Sequence, residues 1–153
     1  MTDIEAASAK AVFIAATDEL IGAGHANGAW MDDSALRERN PVTHGFADGL
    51  YTRQADILAD QILIGKVHLK SHTFFLLAGS MDILSEGGSV RVDAPYQGIT
   101  PAGTQRIVRT ITDCIFTTVH ATDLTDPDEI EAELTSPDFR HPKVEHLAQG
   151  RLA

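Results

Sequence analysis

Short apolar runs, each closed by a turn residue, fill the middle of the chain. They cover 50–53, 61–68, 72–77, 81–84, 89–92, 97–99, 105–111 and 114–120. β-branched and aromatic residues are frequent in these runs, and Gly79, Gly87, Gly88, Pro95, Pro101, Gly103 and Asp113 separate them. Many short strands at close spacing predict an antiparallel barrel or sandwich and not a βαβ fold. Thr112 and Asp113 predict a hairpin that joins the 105–111 run to the 114–120 run.

Both ends read differently. Thr2 and Glu5 fit a capping box, and an Ala-rich stretch with Ile4, Val12, Ile14, Leu20 and Ile21 follows, so residues 2–22 predict a helix stopped by Gly22 and Gly24. Residues 23–48 hold Gly24, Gly28, Pro41 and Gly45 among polar neighbours. They read as a loop-rich connection with a short helical turn over Asp33–Arg39. Trp30 lies in it, as a packing anchor. Near the other end Asp126 is placed to cap, Pro127 to start a helix, and Glu129 to complete a capping box. The helix covers 127–135, and 136–153 reads as a tail or a short second helix. The chain thus divides into an N-terminal helix and loop extension over 1–49, a β-rich unit over 50–122, and a C-terminal helix and tail over 123–153.

The chain has 153 residues, 43% of them apolar, which suits one domain around one core. Twenty-two acidic residues against twelve basic ones give a net charge of −10. Such a surface repels phosphate backbones and anionic lipids, so no nucleic-acid and no membrane partner is expected. No apolar run reaches membrane-span length, and Asp3 and Glu5 argue against a secretory leader. Cys114 is the only cysteine. It excludes an intrachain disulfide and a thiolate zinc site, favours a reduced cytoplasmic setting, and reads as a buried apolar thiol.

Histidine carries the candidate chemistry. Of the seven, His68, His72 and His120 fall in or at the ends of expected strands. His68 and His72 share one strand face, but four residues of straight strand span roughly 13 Å. Two imidazoles that far apart cannot share an ion at about 2.1 Å from each. They converge only if the chain turns at Leu69, Lys70 and Ser71. The alternative is that these are hydrogen-bonded barrel histidines without a metal.

Lys66-Val-His68-Leu-Lys-Ser-His72, followed by Thr73 to Gly79, resembles the first motif of the cupin superfamily. Gly79 matches its closing glycine. His72 then takes the place of the motif's glutamate, His68 that of its second histidine and Lys66 that of its first. Asp60 stands where a leading glycine is usual. Pro101-Ala-Gly103-Thr-Gln-Arg106 resembles the second motif, with Arg106 at its histidine position. The resemblance covers about residues 50–120. It implies a mostly β, cupin-like antiparallel β-barrel, a double-stranded β-helix or jelly roll, with N-terminal and C-terminal helices.

The cupin resemblance implies one divalent transition metal (Zn, Fe, Mn or Ni), with His68 and His72 at motif positions; His120, outside the motifs, joins them as a third ligand if the expected hairpin carries it to the barrel mouth. Arg106 offers five donors to the carboxylate or phosphate of a small ligand, or else an ion pair to Asp93 or Glu86. Tyr96 lines the mouth or packs beside it, and Lys66 is a rim charge. Two functions compete. One is a cupin-type protein that binds a small anionic molecule in its barrel, with metal-dependent dioxygenase, isomerase or lyase chemistry as its enzyme form. The other is a non-catalytic binding or structural barrel, phage-related ones included. Either would form a homo-oligomer, a dimer or larger, through its terminal helices.

Overall fold

The structure, a computed structural model, describes residues 2–140 and Val144. It opens with helix α1, Asp3–Ala26. The Thr2–Glu5 capping box forms as expected, with Thr2 Oγ1 accepting from the Glu5 N–H at 3.1 Å and Glu5 Oε2 from the Thr2 N–H at 2.7 Å. The helix runs through Gly22 and Gly24 and stops only near Gly28, whose φ of +73° lets the chain leave the helix. Glycine inside a helix costs about 1 kcal/mol, which neighbouring turns outweigh here; left-handed glycine ends it. Trp30 folds back on the helix end and stacks on His25 at 4.6 Å. Helix α2 covers Asp33–Arg39 and is capped by Asp32.

The reading of 23–48 as loop-rich fails at one place. Val42–Ala47 is strand β1, hairpinned to β2, Leu50–Ile57. Asp48 and Gly49 make the turn with φ of +40° and +81°. Positive φ at both central residues is the two-residue hairpin geometry that an Asp-Gly pair favours.

The remaining strands are β3 (Ile62–Ile64), β4 (Val67–His68), β5 (His72–Ala78), β6 (Ser80–Ser85), β7 (Gly88–Asp93), β8 (Tyr96–Thr100), β9 (Ile107–Thr110) and β10 (Cys114–Ala121). Helix α3, Pro127–Leu134, and the short strand β11, Thr135–Ser136, follow. The Asp126 side chain caps α3. Most of the expected tail, with His141 and His146, lies outside the described residues.

Two antiparallel sheets result, one ordered β1-β2-β10-β5-β8 and the other β3-β9-β6-β7. One core cluster joins them: Ala55, Ile57, Phe74, Leu76 and Cys114 from the first sheet, Met81, Ile83 and Val92 from the second. The sheets therefore pack face to face as a jelly-roll barrel with helices at its ends. The chain passes between sheets at Gly79, where φ is +89° and a Cβ would collide with the Asp113 carbonyl and the Cys114 sulfur. No helix among the described residues is long and apolar enough to cross a membrane.

One expected pairing is wrong. β9 pairs with β3 and β6, whereas β10 pairs with β2 and β5. The residues around Thr112 and Asp113 form a sheet-to-sheet crossover and not a hairpin. Thr112 Oγ1 accepts from the Ser80 N–H, and Asp113 Oδ1 from the Ala59 N–H. These bonds anchor the crossover to two other connections.

Candidate functional site

Strand register builds the site. On the inward face of the five-stranded sheet, Phe46 lies opposite Tyr51, Tyr51 opposite His120, and His72 opposite Thr100. Rings fill this row: Phe46 to Tyr51 at 5.3 Å, Tyr51 to His120 at 5.8 Å, His120 to His72 at 4.4 Å. The adjoining row reads His44, Arg53, Thr118, Phe74 and Gly98. Side chains alternate across a strand, so both rows face the barrel interior.

His68 joins them through the chain reversal that the sequence permits. Its carbonyl accepts from the Gly103 N–H at 2.7 Å, and its N–H donates to the Thr104 carbonyl. The Leu69 N–H donates to the Leu134 carbonyl, and Ser71 Oγ accepts from the Ala102 N–H. Held this way, residues 69–71 double back. The His68 ring comes within 4.3 Å of His72 and 6.1 Å of His120. All three expected histidines meet at one mouth. A cleft of about 30 Å³, lined by His68, Lys70, Ser71, His120, Ala121 and Leu134, opens beside them.

The three rings are held neutral. Burial, then His120, Arg106 and Arg53, lowers the His68 pKa to about 4. Burial, then the neighbouring imidazoles, takes His72 to about 3. Burial and Arg53 take His120 to about 4. Apart from burial and one backbone hydrogen bond at His72, the groups that shift the pKa values of these rings are cations or other imidazoles. His72 is only 7% exposed, and among the described residues its Nδ1 has no partner in hydrogen-bond geometry. His120 Nε2 lies 2.8 Å from Thr118 Oγ1.

Arg106 lies with its guanidinium carbon 4.6 Å from the centre of the Phe74 ring. One amino group, Nη2, donates to the Ile99 carbonyl at 3.4 Å, and the other, Nη1, is buried without a partner among the described residues. Burial lowers the Arg106 pKa, and Tyr96 opposes that shift. The ion pair to Asp93 or Glu86 does not form: among the described residues Arg106 pairs with no carboxylate. Tyr96 is 40% exposed and lies 5.9 Å from Phe74, at the sheet edge beside Arg106. Lys66 is tied to Glu131 on α3, which Arg37 also reaches at 3.5 Å. Cys114 is buried, as expected, and burial pushes its thiol pKa up.

Sequence reasoning missed Tyr51, His44 and Arg53. Tyr51 is buried, and its hydroxyl lies 2.6 Å from His44 Nδ1. Arg53 is accessible to solvent, yet it sits in the inward phase of β2 between buried Tyr51 and Ala55. The signal was present. Asp48 and Gly49 mark a hairpin, and alternation along 51–57 points Arg53 inward with its apolar neighbours.

No family model matches the chain, and no curated protein matches its sequence. Solved structures do match. KdgF from Halomonas sp. superposes with a TM-score of 0.52 at 10% identity, over 66% of this chain and 91% of that one. Salicylate 1,2-dioxygenase from Pseudoaminobacter salicylatoxidans gives 0.51 at 11% identity, over 76% of this chain and 33% of that one. An RmlC-like cupin protein from Desulfovibrio desulfuricans gives 0.46 at 16%, over 54% and 82%. The chain has a cupin fold. Within this cupin barrel the histidine mouth lies between the two sheets, at the strand ends that β4 and β11 close.

A metal is what the cupin resemblance implies, and the donors present do not fit one as placed. Among the described residues no group of three or more His, Cys, Asp or Glu side chains is arranged to hold an ion. The rings converge, but His120 Nε2 is turned to Thr118. No carboxylate among the described residues offsets an added positive charge there, and Arg53 and Arg106 both act on the cluster. A dication placed there would meet two guanidinium groups; an anion would be attracted by both.

Proposed function

We propose that this cupin barrel binds a small anionic molecule at its histidine mouth, with Arg106 as the anchor and Tyr96 at the rim. The observation that carries the reading is Arg106 Nη1, buried and unpaired beside a ring that holds the guanidinium plane in position. A buried charged donor without a partner costs about 1–3 kcal/mol or more. A carboxylate or phosphate oxygen recovers that cost through a charge-assisted bond. Three neutral imidazoles beside it supply further donors without adding charge.

Calorimetric titration tests the reading. Small carboxylates and inorganic phosphate are compared with the matching neutral amides. Carboxylates bind and amides do not, and Arg106→Gln abolishes the difference. Equal binding of acid and amide, or an Arg106→Gln protein that binds acids like the parent, overturns it.

The runner-up is a metal-dependent enzyme of dioxygenase, isomerase or lyase type. In its favour stand three unprotonated imidazoles at one mouth, the form in which histidine ligates. It requires His120 to leave Thr118 and the cation-rich surroundings to be overcome. A homo-oligomer has support in Leu77 and Ile99, 54% and 66% exposed on the outward face of β5 and β8; light scattering reads the number of copies.

A further inference from the structure

We propose that Arg53 is a second anchoring cation of this site, and that its ligand is a small dicarboxylate bridging Arg53 and Arg106. The inference rests on the reading of Arg106 as an anion anchor.

The geometry is that of one row across three strands. Arg53 on β2 lies opposite Thr118 on β10, and Thr118 lies opposite Phe74 on β5. The Arg106 guanidinium rests on that same Phe74 ring. Two strand spacings therefore separate the Arg53 backbone from the ring that carries Arg106, roughly 10 Å. Both side chains are long: Arg53 belongs to the inward face of β2, and Arg106, just before β9, reaches that face where its guanidinium rests on Phe74. The three imidazoles occupy the neighbouring row and the β4 edge between these two ends.

Electrostatics order the groups the same way. Arg106 acts on His72 and His68, and Arg53 acts on His120 and His68. One guanidinium thus flanks each side of the cluster. Neither is neutralised. Among the described residues the Arg53 side chain makes no hydrogen bond and no ion pair. The carboxylate nearest to it in effect is Glu131, which is already engaged by Lys66 and Arg37. Two guanidinium groups with no carboxylate partner among the described residues, flanking one cluster, are unusual in a chain where acids outnumber bases by twenty-two to twelve. Between them lie Phe74, Thr118 and neutral imidazoles, surfaces for an uncharged ligand middle. A molecule with an anionic group at each end satisfies both cations at once.

The test is isothermal titration of the full chain with succinate, glutarate and adipate, each against the monocarboxylate of equal length. The parent protein binds at least one diacid about tenfold or more tighter than its monoacid. Arg53→Gln weakens that diacid by a larger factor than its monoacid, so the two bind alike, while the monoacid is still held by Arg106. Arg53→Lys, which keeps the charge, retains part of the preference. A parent protein with no diacid preference, or an Arg53→Gln protein that keeps it, overturns the proposal and leaves the Arg106 reading standing. Loss of that preference without loss of monoacid binding supports it. If no carboxylate binds at all, both readings fall. Should Arg53→Gln not fold, the diacid comparison on the parent protein and the Arg53→Lys titration decide.

Discussion

His72 and His120 lie with ring centroids 4.4 Å apart and ring planes tilted by 35°, although about two thirds of the 50–122 stretch separates them in sequence. Neighbouring strands β5 and β10 bring them together. Neither ring has room for a second charge beside the other, since each adds to the burial that already favours the neutral form.

Stability should fall with acidification before the carboxylates titrate. The folded pKa values of His68, His72 and His120, about 4, 3 and 4, lie below the ordinary 6.5. Below pH ~6.5 the unfolded chain takes up protons that the folded chain refuses. The stabilising contribution is full above that pH and is lost as pH falls toward the folded values. Urea unfolding at pH ~7, ~6 and ~5 measures the decline, and His72→Gln reduces its slope.

Anion binding should couple to proton uptake. A carboxylate beside a depressed imidazole raises that imidazole's pKa. Affinity therefore increases as pH falls from ~7 toward ~5. Titration in two buffers of different ionisation enthalpy reads the protons taken up per ligand bound. An affinity that stays flat over this range would show that the ligand sits away from the rings.

Gly98 is a structural requirement of the Arg106 platform. A Cβ at this position would lie 2.6 Å from Phe74 Cζ. Gly98→Ala must displace the ring, at a cost of about 1–3 kcal/mol, and with it the support of the guanidinium. Lower stability in urea together with weaker carboxylate binding is expected. A variant that loses stability but binds carboxylate as well as the parent would free Arg106 from Phe74.

Metal ions should not stabilise the resting protein. Elemental analysis of untagged protein gives no stoichiometric transition metal, and added zinc or manganese leaves Tm unchanged. A ligand that binds only the folded state raises Tm by mass action. A rise that disappears in the His68→Ala, His120→Ala double variant would instead establish the imidazoles as metal ligands.

The Lys66–Glu131 pair should matter little to stability. The two side chains are 41% and 35% exposed, and such pairs contribute about 0–1 kcal/mol. Glu131→Gln is expected to shift the urea midpoint only slightly, as read by equilibrium unfolding.

The fold was legible wherever local chemistry dictates it. Gly79 demands positive φ at a close crossing, and its place after an apolar run reads directly from sequence. The capped ends of α1 and α3 read the same way. Long-range pairing did not. The residues at 111–113 look like a hairpin turn locally, and only the partners of β9 and β10 reveal a crossover. The histidines were legible as candidates because imidazoles on strand faces stand out. That they converge depends on hydrogen bonds from Gly103 and Leu69, which no local pattern encodes. Arg53 was missed for a different reason. An arginine within an apolar alternation looks like a break in the strand, although Tyr51, Ala55 and Ile57 set the phase that points it inward.

Val67 and His68 pair on one side with Thr135 and Ser136, and His68 on the other with Thr104. The backbone beneath one imidazole of the cluster is thus stitched from both flanks, and one of the threads comes from the far end of the chain. What reads from sequence as a trailing appendage forms a hem of the pocket. Trimming the protein back to its bare barrel would leave that imidazole on a loosened edge.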